Sequence, residues 1–249
     1  MKRLSVFIIT HNEEKNIKAC LESIKWADEI VVVDNDSNDN TIKICKEYTD
    51  RIFQEEWKGY AKQKQSALDK TTGEWVLNLD ADERLTPELR LEIENTLAYK
   101  ERLKDGYLIP FKSYFGGKWI KHGGWYPDYH LRLFRREKGR FGNEEVHEGV
   151  KIEGSIGYLK NPINHYTYNS ISDFIKRMDL YTSLFAEDRY KKGKKAMWGH
   201  LVFRPPFTFF KMFFLQRGIL DGYYGFLLAI LYSYYTFLKY AKLREMWRR

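Results

Sequence analysis

Leu4-Ser-Val-Phe-Ile-Ile-Thr10 is a short apolar run, and Glu29-Ile-Val-Val-Val-Asp34 repeats its character further along the chain. Runs of this length and composition suit strands buried on both faces. Between them, Asn12 as N-cap with Glu13 and Glu14 in the first turn predicts a helix that buries Ile17, Cys20, Leu21 and Ile24. Thr41–Tyr48 repeats the helical pattern, with Ile42, Cys45 and Tyr48 or Ile44 inward. Such alternation implies parallel strands joined by right-handed crossovers. Working outward, a strand is expected at Arg51–Gln54, a helix at Tyr60–Lys70 and a strand at Glu74–Leu79. Thr86 and Pro87 then open a helix that buries Leu89, Ile93 and Leu97. Tyr107–Tyr114 and Tyr129–Phe134 alternate as strands around the loop 116–127, which makes the later part of the sheet antiparallel or mixed.

The 249 residues, 43% hydrophobic and 31% charged, exclude a disordered chain, a collagen and a small disulfide scaffold. Cys20 and Cys45 lack the spacing of a zinc or redox motif, so they read as two buried small hydrophobes in a reducing compartment. Met1-Lys-Arg runs directly into the first strand without a signal peptide, which predicts a cytosolic N-terminus. The formal charge is +8, compatible with nucleic acid, an anionic membrane or a phosphorylated substrate. Its placement discriminates among these: from Ala186 onward there are thirteen Lys or Arg against four acids, a local charge of +9.

In an open parallel sheet, ligands bind beyond the carboxyl ends of the strands. Three predicted strands end in polar groups: Thr10-His11-Asn12, Asp34-Asn35-Asp36-Ser37 and Asp80-Ala81-Asp82-Glu83. All three should share one rim. Asp80 and Asp82 flank one small residue, so in extended backbone they leave on the same face. Magnesium or manganese takes one or two carboxylates plus phosphate oxygens and water. An isolated Asp-X-Asp usually caps a helix or sits in a solvated turn; behind the buried run Trp75–Leu79, with Asp34 on a neighbouring strand end, it reads as a binding site. Asp34 itself suits a base imide or a ribose hydroxyl, or else a cap for the next helix.

Ser5–Glu14, Val31–Ser37 and Gly73–Glu83, in this order and at these separations, resemble the nucleotide-sugar half of glycosyltransferase family 2, over roughly residues 1–100. Gly-Gly-Trp-Tyr-Pro-Asp (123–128), His-Leu-Arg-Leu-Phe-Arg-Arg (130–136), Val-His-Glu (146–148) and Asn-His-Tyr (164–166) look like the subgroup containing lipopolysaccharide inner-core glucosyltransferases. The resemblance implies an α/β GT-A fold, a mixed sheet flanked by helices, with residues 1–100 as donor half, 101–185 as acceptor half and 186–249 as a helical tail. It also implies a nucleotide-diphosphate sugar donor, UDP-sugar favoured. Thr10, His11, Asn12, Glu14, Asp34, Asp36, Lys64, Asp80, Arg132 and Arg135 would bind that donor, with His11 standing where tyrosine is common. Asp80, Asp82 and a late His165 would hold Mg2+ or Mn2+.

Transfer of a sugar needs a base for the acceptor hydroxyl. Glu148 is the first candidate, because Val-His-Glu follows Phe141-Gly-Asn-Glu-Glu as a loop, although pairing with Arg132 or Arg135 would also account for it. Asp128 is the second, with fixing of the Trp125–Pro127 turn as its structural alternative. His147 suits a phosphate or sugar contact, and Arg136 joins Arg132 and Arg135 as a partner for diphosphate or a phosphorylated acceptor. The expected reaction is inverting transfer of a hexose, glucose favoured, to a lipid-linked saccharide such as lipopolysaccharide core. A non-catalytic RNA- or nucleotide-binding protein would interleave basic residues across a sheet face and leave Asp34, Asp80 and Asp82 unexplained. A nucleotidyltransferase would bring a glycine-rich loop after the first strand, and Thr10–Lys15 has no glycine.

Phe207–Leu215 and Ile219–Tyr240 are the most apolar stretches, interrupted by Lys211, Arg217 and Asp221. The cleanest piece, Tyr223–Leu238, reaches about 24 Å as a helix, short of a hydrocarbon core of about 30 Å. Its tyrosines favour the water–lipid boundary, and Lys239, Lys242, Arg244, Arg248 and Arg249 suit anionic headgroups. The tail is therefore expected to be amphipathic and separable from the donor half, with core or oligomer helices as the alternative and a strained span as a third. It would hold the protein, peripheral or monotopic, on the cytoplasmic face of the inner membrane, with an anionic lipid surface rather than nucleic acid as partner.

Overall fold

The computed structural model describes residues 3–99, 103–142 and 149–248. In chain order its elements are β1 (Leu4–Thr10), α1 (Ile17–Ile24), β2 (Glu29–Asp34), α2 (Thr41–Cys45), β3 (Ile52–Gln54), α3 (Tyr60–Asp69) and β4 (Trp75–Asp80). They continue with β5 (Glu83–Leu85), α4 (Pro87–Ala98), β6 (Gly106–Phe115), β7 (Lys118–Trp119), β8 (Asp128–Arg135) and β9 (Gly139–Phe141). The last are β10 (Val150–Ile152), β11 (Ile156–Tyr158), β12 (Ile163–Tyr168), α5 (Ile171–Lys191), α6 (Trp198–Val202), α7 (Arg204–Phe210) and α8 (Tyr223–Met246). A π turn over Lys211–Leu215 and a 3₁₀ turn over Gly218–Asp221 precede α8. The chain forms two compact units, Met1–Phe111 with Tyr129–His165, and Lys112–Asp128 with Tyr166–Arg249.

The first unit carries the sheet, ordered β3-β2-β1-β4-β8-β6-β12-β5, with β11 beside β6. β1 pairs in parallel with both β2 and β4, placing Thr10 opposite Asp34 and Ile9 opposite Asp80. The three polar strand ends therefore share one rim, as the alternation predicted. β8 runs antiparallel to β4 and β12 antiparallel to β5, so the sheet is mixed. This is the α/β, GT-A-like arrangement expected from the resemblance.

Alternate residues of β1 serve opposite faces of the sheet. Val6 and Ile8 pack with Ile17, Cys20, Leu21 and Ile24 of α1 and with Leu89 and Ile93 of α4. Phe7 packs on the other side with Val31, Val33, Ala67, Leu68, Phe134 and Phe141. Both cysteines are free and buried; burial pushes the Cys45 thiol up to about 12 and raises that of Cys20 as well.

Element ends differ from the sequence reading in instructive ways. α1 starts at Ile17 with Asn16 before it, because Asn12 takes a left-handed φ of 54° and spends its side chain on loop contacts instead of a cap. α2 stops at Cys45, short of Tyr48. α4 begins as predicted, with Thr86 Oγ1 accepting from the Leu89 amide at 3.2 Å and Pro87 in the first turn. β5 was not foreseen, since three residues are too few to show a period.

In the second unit, Phe115, Ile120 and Trp125 pack with Phe174 and Met178 of α5 and with Met212, Leu228, Ala229 and Leu231. Residues 186–249 thus share a core with part of the expected acceptor half, residues 112–128 and 166–185, in place of standing apart from it. Many of the tail's apolar residues face inward to that core. A Cβ on Gly225 of α8 would lie 1.8 Å from the Gly218 carbonyl oxygen, so only glycine allows this approach. Among the described residues, no helix is long and apolar enough to cross a membrane.

Candidate active site

At the rim, two loops are stitched together by short polar side chains. Asp34, fully buried at the end of β2, accepts from Thr10 Oγ1 (2.8 Å), the Ser37 amide (2.8 Å) and Ser37 Oγ (2.6 Å). The Asn12 amide donates to Ser37 Oγ (2.8 Å), and Asn12 Oδ1 accepts from the Asn38 amide (2.9 Å). Glu14 accepts from the backbone and side-chain nitrogens of Asn40, and its own amide donates to Asp39. His11 Nδ1 lies 2.5 Å from the Asn35 carbonyl oxygen. Thr10, Asn12, Glu14 and Asp34 therefore shape the rim, while His11 and Asp36 stand exposed on it, Asp36 with a φ of 49°. Ser37, which links both loops, was not among the sequence candidates.

Beyond β4 the charged groups converge. Lys64, buried on α3, reaches one Asp80 oxygen at 3.0 Å, and Arg132, buried on β8, donates to the other at 2.9 Å. Arg132 also donates to Glu83, which is fully buried on β5 and accepts the Asp80 amide at 3.1 Å. The Arg132 guanidinium lies over the Phe111 ring, 5.0 Å from its centre. Asp82, half-buried, lies 3.6 Å from His165 Nε2, whose ring meets Phe111 edge-on.

Burial opposes charge throughout this cluster, and the neighbours decide each outcome. Around Asp80, Lys64 and Arg132 outweigh burial and hold the carboxyl far below the usual carboxylate range. Burial pushes Glu83 up to about 7, with Arg132 offsetting part of the rise and Asp80 adding to it. The His165 imidazolium is disfavoured by burial, but the Asp82 carboxylate and the Glu83 charge leave it raised above the ordinary histidine value.

Among the described residues, no group of three or more His, Cys, Asp or Glu is arranged to hold a metal. Asp82 and His165 nevertheless fit a divalent cation that draws its other ligands from diphosphate and water. Asp80 does not fit as it stands, because both its oxygens are taken by Lys64 and Arg132. The sequence placed Asp80 among the metal ligands because an Asp-X-Asp spacing carries no sign of the cations that fold onto it.

Arg135 is a clear correction. β8 is antiparallel to β4 and pairs Arg135 with Trp75, at the opposite end of β4 from Asp80. Five residue steps of strand lie between the two ends, about 17 Å. There Arg135 donates to Glu74 at 2.6 Å and lies over the Trp75 ring, away from the rim. Asp128, the first residue of β8, is exposed and belongs to the second unit. Glu148 and His147 lie outside the described residues. Glu83, the buried hub between Asp80 and Arg132, closes the polar strand end Asp80–Glu83 but was not among the sequence candidates.

The polar rim at the ends of β1, β2 and β4 is where an open α/β sheet binds its ligand, and the comparisons give the chain a family. The family profile described as Glycosyl transferase family 2 matches residues 5–167, and the chain belongs to that family. It is 34% identical to the lipopolysaccharide core biosynthesis glycosyltransferase LpsC of Rhizobium meliloti, over 97% of this chain and 92% of the relative. An uncharacterised glycosyltransferase of Rickettsia typhi is also 34% identical, over 99% of this chain and 88% of the relative. In fold, the chain is similar to residues 1–349 of S. aureus TarS in complex with UDP-GlcNAc. That match has a TM-score of 0.50 and 18% identity, and covers 99% of this chain and 91% of that one. The chain is thus a family 2 glycosyltransferase similar to the lipopolysaccharide-core subgroup.

Proposed function

We propose that this enzyme transfers a hexose, glucose favoured, from a UDP-sugar to a lipid-linked saccharide such as lipopolysaccharide core, inverting the anomeric centre. We propose the cytoplasmic face of the inner membrane as its place of work. The observation that carries the reading is the convergence of Asp80, Asp82, Glu83, Lys64, Arg132 and His165 at the carboxyl end of β4. Support for the acceptor comes from the similarity to LpsC, and for the donor from the TarS complex with UDP-GlcNAc, a protein of similar fold.

Charge bears on the metal. The cations of the cluster are already paired with its acids: Lys64 and Arg132 with Asp80 and Glu83, and His165 with Asp82. A diphosphate entering such a cluster meets repulsion unless further positive charge comes with it. A divalent cation held by Asp82 and His165 would supply that charge to the departing diphosphate. The protein's own residues carry the remaining steps. The acceptor hydroxyl gives its proton to Glu148, with Asp128 as the alternative base. Its oxygen bonds to the anomeric carbon from the side opposite the diphosphate, the bond from that carbon to the diphosphate oxygen breaks, and UDP leaves. Lys64 and Arg132 fix Asp80 and the turn that carries Asp82.

The membrane reading draws on the exposed apolar residues of the second unit, among them Phe203 at 73%, Leu215 at 62% and Phe207 at 60% exposure. Incubation of the purified chain with a panel of UDP-sugars, Mn2+ and a membrane extract tests the function. The expected product is a lipid-linked saccharide extended by one hexose with inverted configuration. Transfer of a nucleotidyl group, or no turnover with any UDP-sugar, overturns the reading.

A further inference from the structure

The second unit holds an open cavity of about 700 Å³ formed by the loop before β8, α5, α7, the π turn and α8. Arg204, Lys211 and Lys239 line it together with Trp125, Phe207 and Tyr240, and no carboxylate lines it among the described residues. Arg204 donates to the Tyr240 hydroxyl and lies over that ring. Lys239 sits over the Tyr235 ring, its nitrogen 4.1 Å from the centre, and over the Phe185 ring at 5.1 Å. Neither Lys211 nor Lys239 is paired with an acid among the described residues. Among the described residues, three cations are gathered without a counter-charge, whereas neighbouring lysines do find one: Lys242 meets Asp179 at 2.7 Å, and Lys192 meets Asp188. Aromatic faces ease the desolvation of Lys239 but do not neutralise it. Burial lowers the Lys239 ammonium below its ordinary value, as expected of a cation lacking its anion.

An anion with several oxygens is the ligand such a cluster fits, because charge-assisted hydrogen bonds from Lys and Arg are strongest to phosphate and carboxylate. The surroundings specify the rest of the molecule. Phe203, Phe207, Phe210, Phe214 and Leu215, on α7 and the adjoining turns, all project exposed apolar surface. A soluble phosphate has no use for that surface, whereas a lipid brings acyl chains to it. We propose that this cavity is a binding site for the phosphate headgroup of an anionic membrane lipid, with Lys211 and Lys239 as its principal contacts and Arg204 at its edge. The source of the ligand rests on the membrane reading above; the site itself rests on the cavity and its unpaired cations.

Flotation of the full chain with vesicles tests this. Phosphatidylcholine vesicles carrying phosphatidic acid are compared with vesicles of matched surface charge in which oleic acid replaces it. The wild type is expected to prefer phosphatidic acid. Lys211→Ala with Lys239→Ala should lower that partitioning about tenfold further than the charge-matched control Lys191→Ala with Lys194→Ala. Lys211→Arg with Lys239→Arg should retain it. Thermal melting checks the fold, and Lys211→Ala alone, on an exposed side chain, serves if the double variant is unstable. Equal flotation on both vesicle types, or equal loss in the control, overturns the site while leaving the membrane reading intact. Flotation with neither vesicle overturns the membrane reading itself. Displacement of phosphatidic acid vesicles by inorganic phosphate, at concentrations that leave ionic strength unchanged, identifies a free-phosphate site and overturns the lipid assignment.

Discussion

Arg132 and Arg135 lie three positions apart on one strand and have opposite fates. Arg132 is buried between Asp80 and Glu83, whereas Arg135 pairs with a half-exposed Glu74 at the far end of β4. Removing one partner of a buried ion pair typically costs about 3–5 kcal/mol, and an exposed pair about 0–1 kcal/mol. Arg132→Met is therefore expected to lower stability by several kcal/mol and to weaken UDP-sugar binding. Arg135→Met should leave both nearly unchanged. Denaturant titration and the KM for donor check this contrast, and a raised KM in Arg135→Met alone would return it to the site. For the base, Glu148→Gln should keep donor binding and lower kcat by about 10²-fold or more. If Asp128→Asn shows that pattern instead, the two residues exchange roles. At this scale the sequence was legible where a side chain's position follows from its strand end, as for Asp80 and Asp82. It was not legible for Glu83, whose burial depends on β5 pairing with a strand some eighty residues later.

Parallel strands and their helices were readable because each buries one long apolar face. Boundaries were less so, since loops that carry chemistry use the same residue types that cap helices. Asn12 is the instance: as an acceptor for the Asn38 amide it joins two rim loops, and α1 starts four residues after the first acid of its expected first turn. Another such tie joins β3 to α3. Glu55 accepts from Lys70, Ser66 and Lys58, and the Lys70 hydrogen bond leads the effects that lower it from 4.5 to about 2. A carboxylate lowered by folding stabilises the native state above its unfolded value and loses that contribution as the pH falls through its folded one. Wild-type stability should thus decline from about pH 4.5 toward 2, and Glu55→Gln should flatten that part of the curve. Urea midpoints across this range decide it; parallel curves for the two proteins would remove Glu55 from the account.

For the whole molecule, family and fold were accessible from three motifs in the first hundred residues, because strand-end chemistry is local in sequence. The organisation of the rest was not. Residues 112–128 and 166–249 form one unit, so the apolar run of α8 is shared between a core with Phe115 and Trp125 and a surface of exposed aromatics. Apolar content alone cannot divide these two uses, and the sequence reading set membrane attachment ahead of core or oligomer packing. The central claim, that the rim beyond β4 transfers a sugar from a UDP-sugar with a divalent cation at Asp82, is tested most directly by one measurement. UDP release from UDP-glucose in the presence of Mn2+ and acceptor extract is followed for the wild type, the wild type with excess chelator, and Asp82→Ala. The account predicts acceptor-dependent release by the wild type and near-complete loss in the other two, with a melting curve showing that Asp82→Ala is still folded at the assay temperature. Undiminished release by Asp82→Ala, or full activity in chelator, would contradict it.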